Sequence, residues 1–179
     1  MTGSERRSGT ALPVPGGLLD RDALAARCRE MRARGQRIVF TNGCFDLLHP
    51  GHVLYLAEAR AMGDALVVGL NADVSVRLLK GAPRPYLRER ERAWMLLSLR
   101  SVDLVSVFSE ETPLELIKAV LPDILVKGGD YRPEEVVGRE VVEAHGGSVQ
   151  IVSFLPGYSS SAMIQRIREG TLPGTPQLP

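Results

Sequence analysis

Five short apolar runs, each separated from the next by a segment of helical spacing, predict an α/β protein built on one parallel, doubly wound sheet. The runs fall at residues 37–40, 65–70, 104–108, 124–127 and 149–154, and each is too short and too apolar for a surface helix. Parallel neighbours need long crossovers, and right-handed crossovers put helices on both sheet faces. Polar, glycine-rich and basic residues follow several of the runs, at the edge where such sheets bind ligands.

The elements follow in order. In "DRDALAARCREMRARG", Leu24, Cys28 and Met31 share a helical face, and Gly35 ends it. "RIVF" (37–40) is the first buried strand, and after it Val53, Leu56, Ala57 and Ala61 predict a helical stripe ending near Gly63. "ALVVGL" (65–70) is the second strand, followed by "SVRLLKGAPRPY", read as a loop. "YLRERERAWMLLSLRS" predicts a long helix with Trp94 and Leu97 inward, before the third strand "LVSVF" (104–108). Thr112, Pro113 and Glu115 predict a capping box opening a helix that stops before Pro122. "ILVK" (124–127) is the fourth strand, and "PEEVVGREVVEAHGG" a helix closed by Gly146 and Gly147. "VQIVSF" (149–154) is the fifth strand and "SSSAMIQRIRE" the last helix. Pro and Gly at both ends offer no periodic face to bury, so residues 1–18 read as a flexible extension, 19–170 as one domain and 171–179 as a flexible tail.

Composition narrows the function classes. With 22 basic against 21 acidic side chains the net charge is +1, which gives no global case for a nucleic-acid or acidic-membrane partner. The two cysteines, Cys28 and Cys44, do not make a disulfide framework, so a reducing cytoplasm is expected. No apolar run approaches the roughly 20 residues that span a bilayer, and the N-terminus lacks the apolar centre of a secretory signal.

"TNGCFDLLHPGH" (41–52) concentrates chemistry directly after the first strand. As metal ligands, His49 and His52 would need further partners, and His145 is the only other histidine. Cys44 as a nucleophile would need a base and an oxyanion site; a small structural residue in a turn is the simpler reading. A capped strand-to-helix turn with surface histidines is the plainest alternative. Two histidines bracketing Pro-Gly at a helix N-terminus favour a phosphate cradle, because outward amides, the helix dipole and imidazole N–H groups all suit a polyphosphate. "YSSSAMIQRI" offers either ordinary N-cap serines or a second phosphate site. Lys80 and Arg92 taken singly would be solvated charges, and Asp130 after Gly128-Gly129 could simply begin a turn.

These strings together resemble the HxGH nucleotidyltransferases of the cytidylyltransferase-like superfamily, over roughly residues 22 to 169. "GLNADVSVRLLKG", "VDLVSVFSEETPLELI" and "LPDILVKGGDY" are most similar to the adenylyltransferases that act on D-glycero-β-D-manno-heptose 1-phosphate. In many bacteria that activity is fused to a sugar kinase, and this chain resembles the stand-alone form. The resemblance implies a Rossmann-like sheet ordered 3-2-1-4-5, with the site between strands one and four. It implies that His49, His52 and Lys80 act in catalysis. It also implies that Thr41, Asn42, Gly43, Phe45, Gly51, Arg92, Gly128, Asp130, Ser159, Ser160 and Ser161 bind nucleotide. Mg²⁺ would arrive with ATP, without dedicated protein ligands. The implied partners are ATP, a sugar phosphate and a separate heptose kinase, with a homodimer common in the family.

The expected reaction is transfer of AMP from ATP to the heptose phosphate, for lipopolysaccharide core or related glycans. The near rival is a cytidylyltransferase acting on glycerol 3-phosphate or another alcohol phosphate. A metal hydrolase using His49, His52, Asp46 and Asp130, and a non-catalytic nucleotide sensor, are the readings from other classes.

Overall fold

The computed structural model describes residues 16–129, 132–153 and 157–170. The expected tail 171–179, most of the expected extension, and Asp130 lie outside the described residues. The strands are β1 (Ile38–Gly43), β2 (Ala65–Asn71), β3 (Leu104–Phe108), β4 (Ile124–Gly128) and β5 (Ser148–Val152). All pair in parallel in the order β3-β2-β1-β4-β5, the order the resemblance implies.

The helices are α1 (Arg21–Ala33), α2 (Pro50–Ala61), α3 (Asp73–Lys80), α4 (Glu89–Leu97), α5 (Leu114–Val120), α6 (Arg139–Ala144) and α7 (Ser160–Glu169). Strand side chains alternate, so Ile38 and Phe40 of β1 face one core and Val39 the other. The first core packs α1, α5 and α6 through Leu24, Cys28, Ile117, Val120 and Val142. The second packs α2 and α4 through Tyr55, Leu56, Ala59, Ala93 and Leu96. Asp20 caps α1 by accepting from the Ala23 amide at 2.8 Å, and Leu24, Cys28 and Met31 are its buried face, as the spacing predicts.

Several expectations are corrected. The buried face of α2 is Tyr55, Leu56 and Ala59, so only Leu56 of the predicted stripe faces inward, while Val53 is 42% exposed. The helix phase is fixed by the His49 cap and by Tyr55, whose hydroxyl finds polar partners inside. Residues 75–80, read as loop, belong to α3; only Ser75 and Val76 are buried, and Leu78 is 81% exposed, so apolar periodicity carries no signal there. In α4 the inward residues are Arg92, Ala93 and Leu96, with Trp94 and Leu97 half-buried. The capping box at Thr112 does not form: Pro113 is the N-cap of α5, and Glu115 instead accepts from Lys118 at 2.7 Å.

The predicted helix over 133–147 divides into a 3-10 turn, Pro133–Glu135, and α6. Gly138 separates them at φ +90°, and a Cβ there would also stand 2.6 Å from Ile117 Cδ1. The fifth strand begins at Ser148 and ends at Val152.

Candidate active site

Beyond the first residues of β1 and β4 the central strands separate. β1 pairs with β2 from Ile38 through Gly43, but with β4 only at Val39 and Phe40. Side chains of the described residues link the two strands across the split. Tyr55 of α2 places its hydroxyl 2.6 Å from Thr41 Oγ1 and donates to the Val126 carbonyl at 3.3 Å. Lys127 Nζ donates to Asn42 Oδ1 at 2.8 Å. The resulting cavity, about 330 Å³, is lined by Asn42, Gly43, Cys44, Phe45, Asp46, His52, Tyr55, Lys80, Lys127, Gly128 and Ser160.

The turn after β1 builds one wall. Phe45 sits at φ +44°, in the left-handed region, which folds its ring over Gly43; a Cβ on Gly43 would meet that ring at 3.0 Å. His49 is the N-cap of α2, its Nδ1 accepting from the His52 amide at 3.4 Å, and Pro50 takes the first helical position. Gly51 lets this helix start close up, since a Cβ would lie 3.1 Å from the His49 ring and 3.2 Å from Tyr158 Cβ. The two imidazoles stack with centroids 3.8 Å apart, and Phe45 meets His52 edge-on at 5.2 Å.

Burial sets the charge state of this pair. It pushes the His52 imidazolium down to about 4, with His49 and Lys80 adding to the shift, and burial lowers His49 as well. Neutral rings can stack where two imidazolium ions would repel. Because His49 Nδ1 accepts, its proton resides on Nε2, leaving that N–H to donate. His52 Nδ1 is buried and lacks a hydrogen-bond partner among the described residues. Burial also lowers Lys127 and raises the Cys44 thiol, the latter against the opposing pull of Lys80, Arg92 and Arg84. Cys44 is therefore a thiol at neutral pH, the wrong state for a nucleophile.

Arg92 braces the walls from behind the cavity, and Asp46, which lines it, spends its carboxylate on the neighbouring segment. Asp46 Oδ2 accepts from Arg84 Nε at 2.6 Å, while its Oδ1 accepts from the Tyr86 and Leu87 amides at 2.8 and 3.0 Å. Arg92, fully buried, donates to the Leu87 carbonyl, to the Cys44 carbonyl at 2.6 Å and to Asp73 Oδ1 at 2.8 Å. Together they tie the turn after β1 to the segment 84–87 and to Asp73, the first residue of α3, the helix whose last residue is Lys80.

The structure thus brings Asn42, Gly43, Phe45, His52, Lys80, Gly128 and Ser160 around one cavity, with His49 and Gly51 at its flank. Thr41 is buried behind it with its hydroxyl against Tyr55, and the guanidinium of Arg92 is engaged elsewhere. Ser160 Oγ donates to the Leu47 carbonyl at 3.1 Å, bringing the start of α7 to the motif. Ser159 caps α7, accepting from the Ala162 amide at 3.0 Å, and Ser161 lines a different cavity. Tyr55 and the clamp role of Asp46 escaped the sequence reading. Lys127, at the end of the fourth apolar run, belongs to the basic residues that the sequence gathers at this sheet edge, though no role was assigned to it. Among the described residues no group of three or more His, Cys, Asp or Glu is arranged to hold a metal ion.

Both the sequence and the fold match known proteins. The chain is 58% identical over 151 residues to the "Bifunctional protein HldE" of Geotalea uraniireducens (strain Rf4), covering 84% of this chain and 31% of that protein. The protein of the same name from Pelobacter propionicus is 59% identical over 150 residues, with 84% and 31% covered. The chain therefore spans about a third of the length of these relatives. A crystal structure of the lipopolysaccharide core biosynthesis protein from Thermoplasma volcanium GSS1 superposes with a TM-score of 0.57 at 29% identity, over 68% of this chain and 98% of that one. Residues 40–166 match the cytidylyltransferase-like family from the first strand to the last helix, and this chain belongs to that family.

Proposed function

We propose that the chain transfers AMP from ATP to D-glycero-β-D-manno-heptose 1-phosphate, releasing pyrophosphate and ADP-heptose for lipopolysaccharide core or related glycans. The observation that carries it is the cavity at the split of β1 and β4. It unites a helix N-terminus bearing paired neutral imidazoles with Lys80, Lys127 and Ser160. The choice of sugar follows the likeness of "GLNADVSVRLLKG" and "LPDILVKGGDY", and accords with the identity to the bifunctional relatives.

The nucleophile is already an anionic phosphate oxygen, so the reaction needs no strong general base. That oxygen bonds to the α-phosphorus as the bond to the bridging oxygen breaks, and pyrophosphate leaves with the electron pair. Catalysis is then positioning and charge stabilisation. The His52 and His49 N–H groups donate to phosphate oxygens, with the α2 amides behind them. Lys80 neutralises charge gathering at the α-phosphate. Ser160, with Ser159, Ser161 and the α7 N-terminus, holds the β and γ phosphates. Asn42, Gly43, Phe45 and Gly128 line the nucleotide side.

The donor set suits Mg²⁺ carried by the triphosphate. The carboxylate nearest the cavity, Asp46, is saturated by Arg84 and two backbone amides, which leaves the ion to the phosphates. Bound there it would shield the charge on the phosphate oxygens. The sugar phosphate would come from a heptose kinase in the cytoplasm. Among the described residues no helix is long and apolar enough to cross a membrane.

Pyrophosphate release across a grid of triphosphates and phosphate esters tests this. ATP with the heptose 1-phosphate should exceed every other pair. A maximum at CTP with glycerol 3-phosphate would replace it with the cytidylyltransferase reading that the family name accommodates.

A further inference from the structure

A second cavity, about 410 Å³, lies between residues 83–86 and α7, and its lining includes Arg84, Tyr86, Ser161, Gln165 and Arg168. It shares a wall with the first. Arg84 is bonded to Asp46 of the first cavity, and Ser161 follows Ser160 in the chain. Arg84 is only 8% exposed, with its guanidinium carbon 5.3 Å from the Tyr86 ring centroid. Its Nε is committed to Asp46, yet its Nη2 is buried and has no hydrogen-bond partner among the described residues. A buried charged donor left unsatisfied is costly, which points to an acceptor supplied by something else. From the opposite wall Arg168 reaches across, its Nη2 donating to Tyr86 Oη at 3.1 Å.

Volume gives an independent reason to look for a second compartment. The first cavity is near the lower end of the roughly 300–1,000 Å³ that one drug-sized ligand occupies. The reaction proposed above must seat two substrates at once. The geometry points to the Arg84–Arg168 cavity as the acceptor subsite, taking a sugar phosphate. This rests on the proposed adenylyl transfer. The phosphate lies toward Arg84, on the side bordering the first cavity. The sugar hydroxyls meet Gln165 and Arg168, a polar pair able to donate and accept. Arg84 is preorganised for this by its bond to Asp46, which fixes the guanidinium before any ligand arrives.

The test is calorimetric binding of the heptose 1-phosphate to enzyme saturated with a non-hydrolysable ATP analogue. It is run on wild type, Arg168→Ala, Gln165→Ala and Arg84→Lys, the last keeping a cation beside Asp46. Ester affinity should fall roughly ten- to hundred-fold in the two arginine variants, the loss expected of one charged hydrogen bond, and less in Gln165→Ala. Affinity for the ATP analogue alone should stay within about two-fold in Arg168→Ala. An equal loss of analogue affinity in Arg168→Ala would assign the cavity to the nucleotide and overturn the inference. Unchanged ester affinity in both arginine variants overturns it, as does a wild type that binds no phosphate ester. Should the wild type bind glycerol 3-phosphate and turn it over with CTP, the proposed sugar fails. The same variants, titrated with that ester, then decide the cavity separately.

Discussion

His52 shows how burial prepares a residue for phosphate chemistry. Its imidazolium is pushed down to about 4 while an unfolded histidine titrates near 6.5. Between those values the unfolded chain binds a proton that the folded chain refuses. The stabilising contribution is therefore complete above pH 6.5 and is lost as pH falls toward 4, by at most about 3 kcal/mol. Urea denaturation at pH 7 and pH 4.5 should show wild type losing more stability than His52→Asn; parallel losses would show that this ring does not carry the linkage. Activity gives the complementary reading. His52→Ala removes a donor from the cavity without removing core, so nucleotidyl transfer should drop by about 10²–10³ with the circular dichroism spectrum unchanged. Near-normal turnover in that variant would sink the mechanism. The two histidines were visible in the sequence because they bracket Pro-Gly at a helix start. Their neutral, stacked state was not, since it depends on Phe45, Gly51 and Lys80 closing around them.

Among elements, the least readable was α3 with the segment that follows it. Its leucines point outward, so the periodicity that reveals α1 fails for it. What holds it is polar and distant in sequence: Asp73 to Arg92, Ser75 Oγ to the Ser109 carbonyl, and Asp46 to residues 84–87. No local pattern encodes links across 38 to 41 positions. Asp46 is 1% exposed, so Asp46→Ala strands the Arg84 guanidinium and two backbone amides together. Removing one member of such a buried pair costs about 3–5 kcal/mol. Urea denaturation should report that loss, and pyrophosphate release should fall as well, because the segment that follows Lys80 loses its anchor to the turn after β1. Asp46→Asn, which keeps an acceptor for the amides, should lie between wild type and Asp46→Ala in both assays. A stability for Asp46→Ala equal to wild type would deny the clamp its role.

At the scale of the molecule, the sheet was readable because β1 to β4 are largely buried on both faces and appear as mainly apolar runs, whereas β5 at the edge is only half-buried. Strand order was not, as periodicity carries no pairing information; it came from the resemblance. The limits of the sheet were also hidden, and the N-terminal one has a consequence. Gly17, Leu18 and Leu19 continue the sheet past β3. The Val105 amide donates to the Gly17 carbonyl at 2.9 Å, and the Leu19 amide donates to the Val105 carbonyl at 3.0 Å. Leu18 packs on one core and Leu19 on the other, as a strand's alternation requires. The expected boundary between residues 18 and 19 thus falls inside a segment bonded to β3. A chain beginning at Asp20 loses two backbone hydrogen bonds and two half-buried leucines, and it leaves β3 as an open edge. Relative to a chain beginning at Gly16, it should be less stable by about 2–4 kcal/mol in urea. It should also associate more readily in light scattering, since an unprotected apolar edge strand is a template for pairing. Equal midpoints for the two truncations would show that β3 needs no such cover.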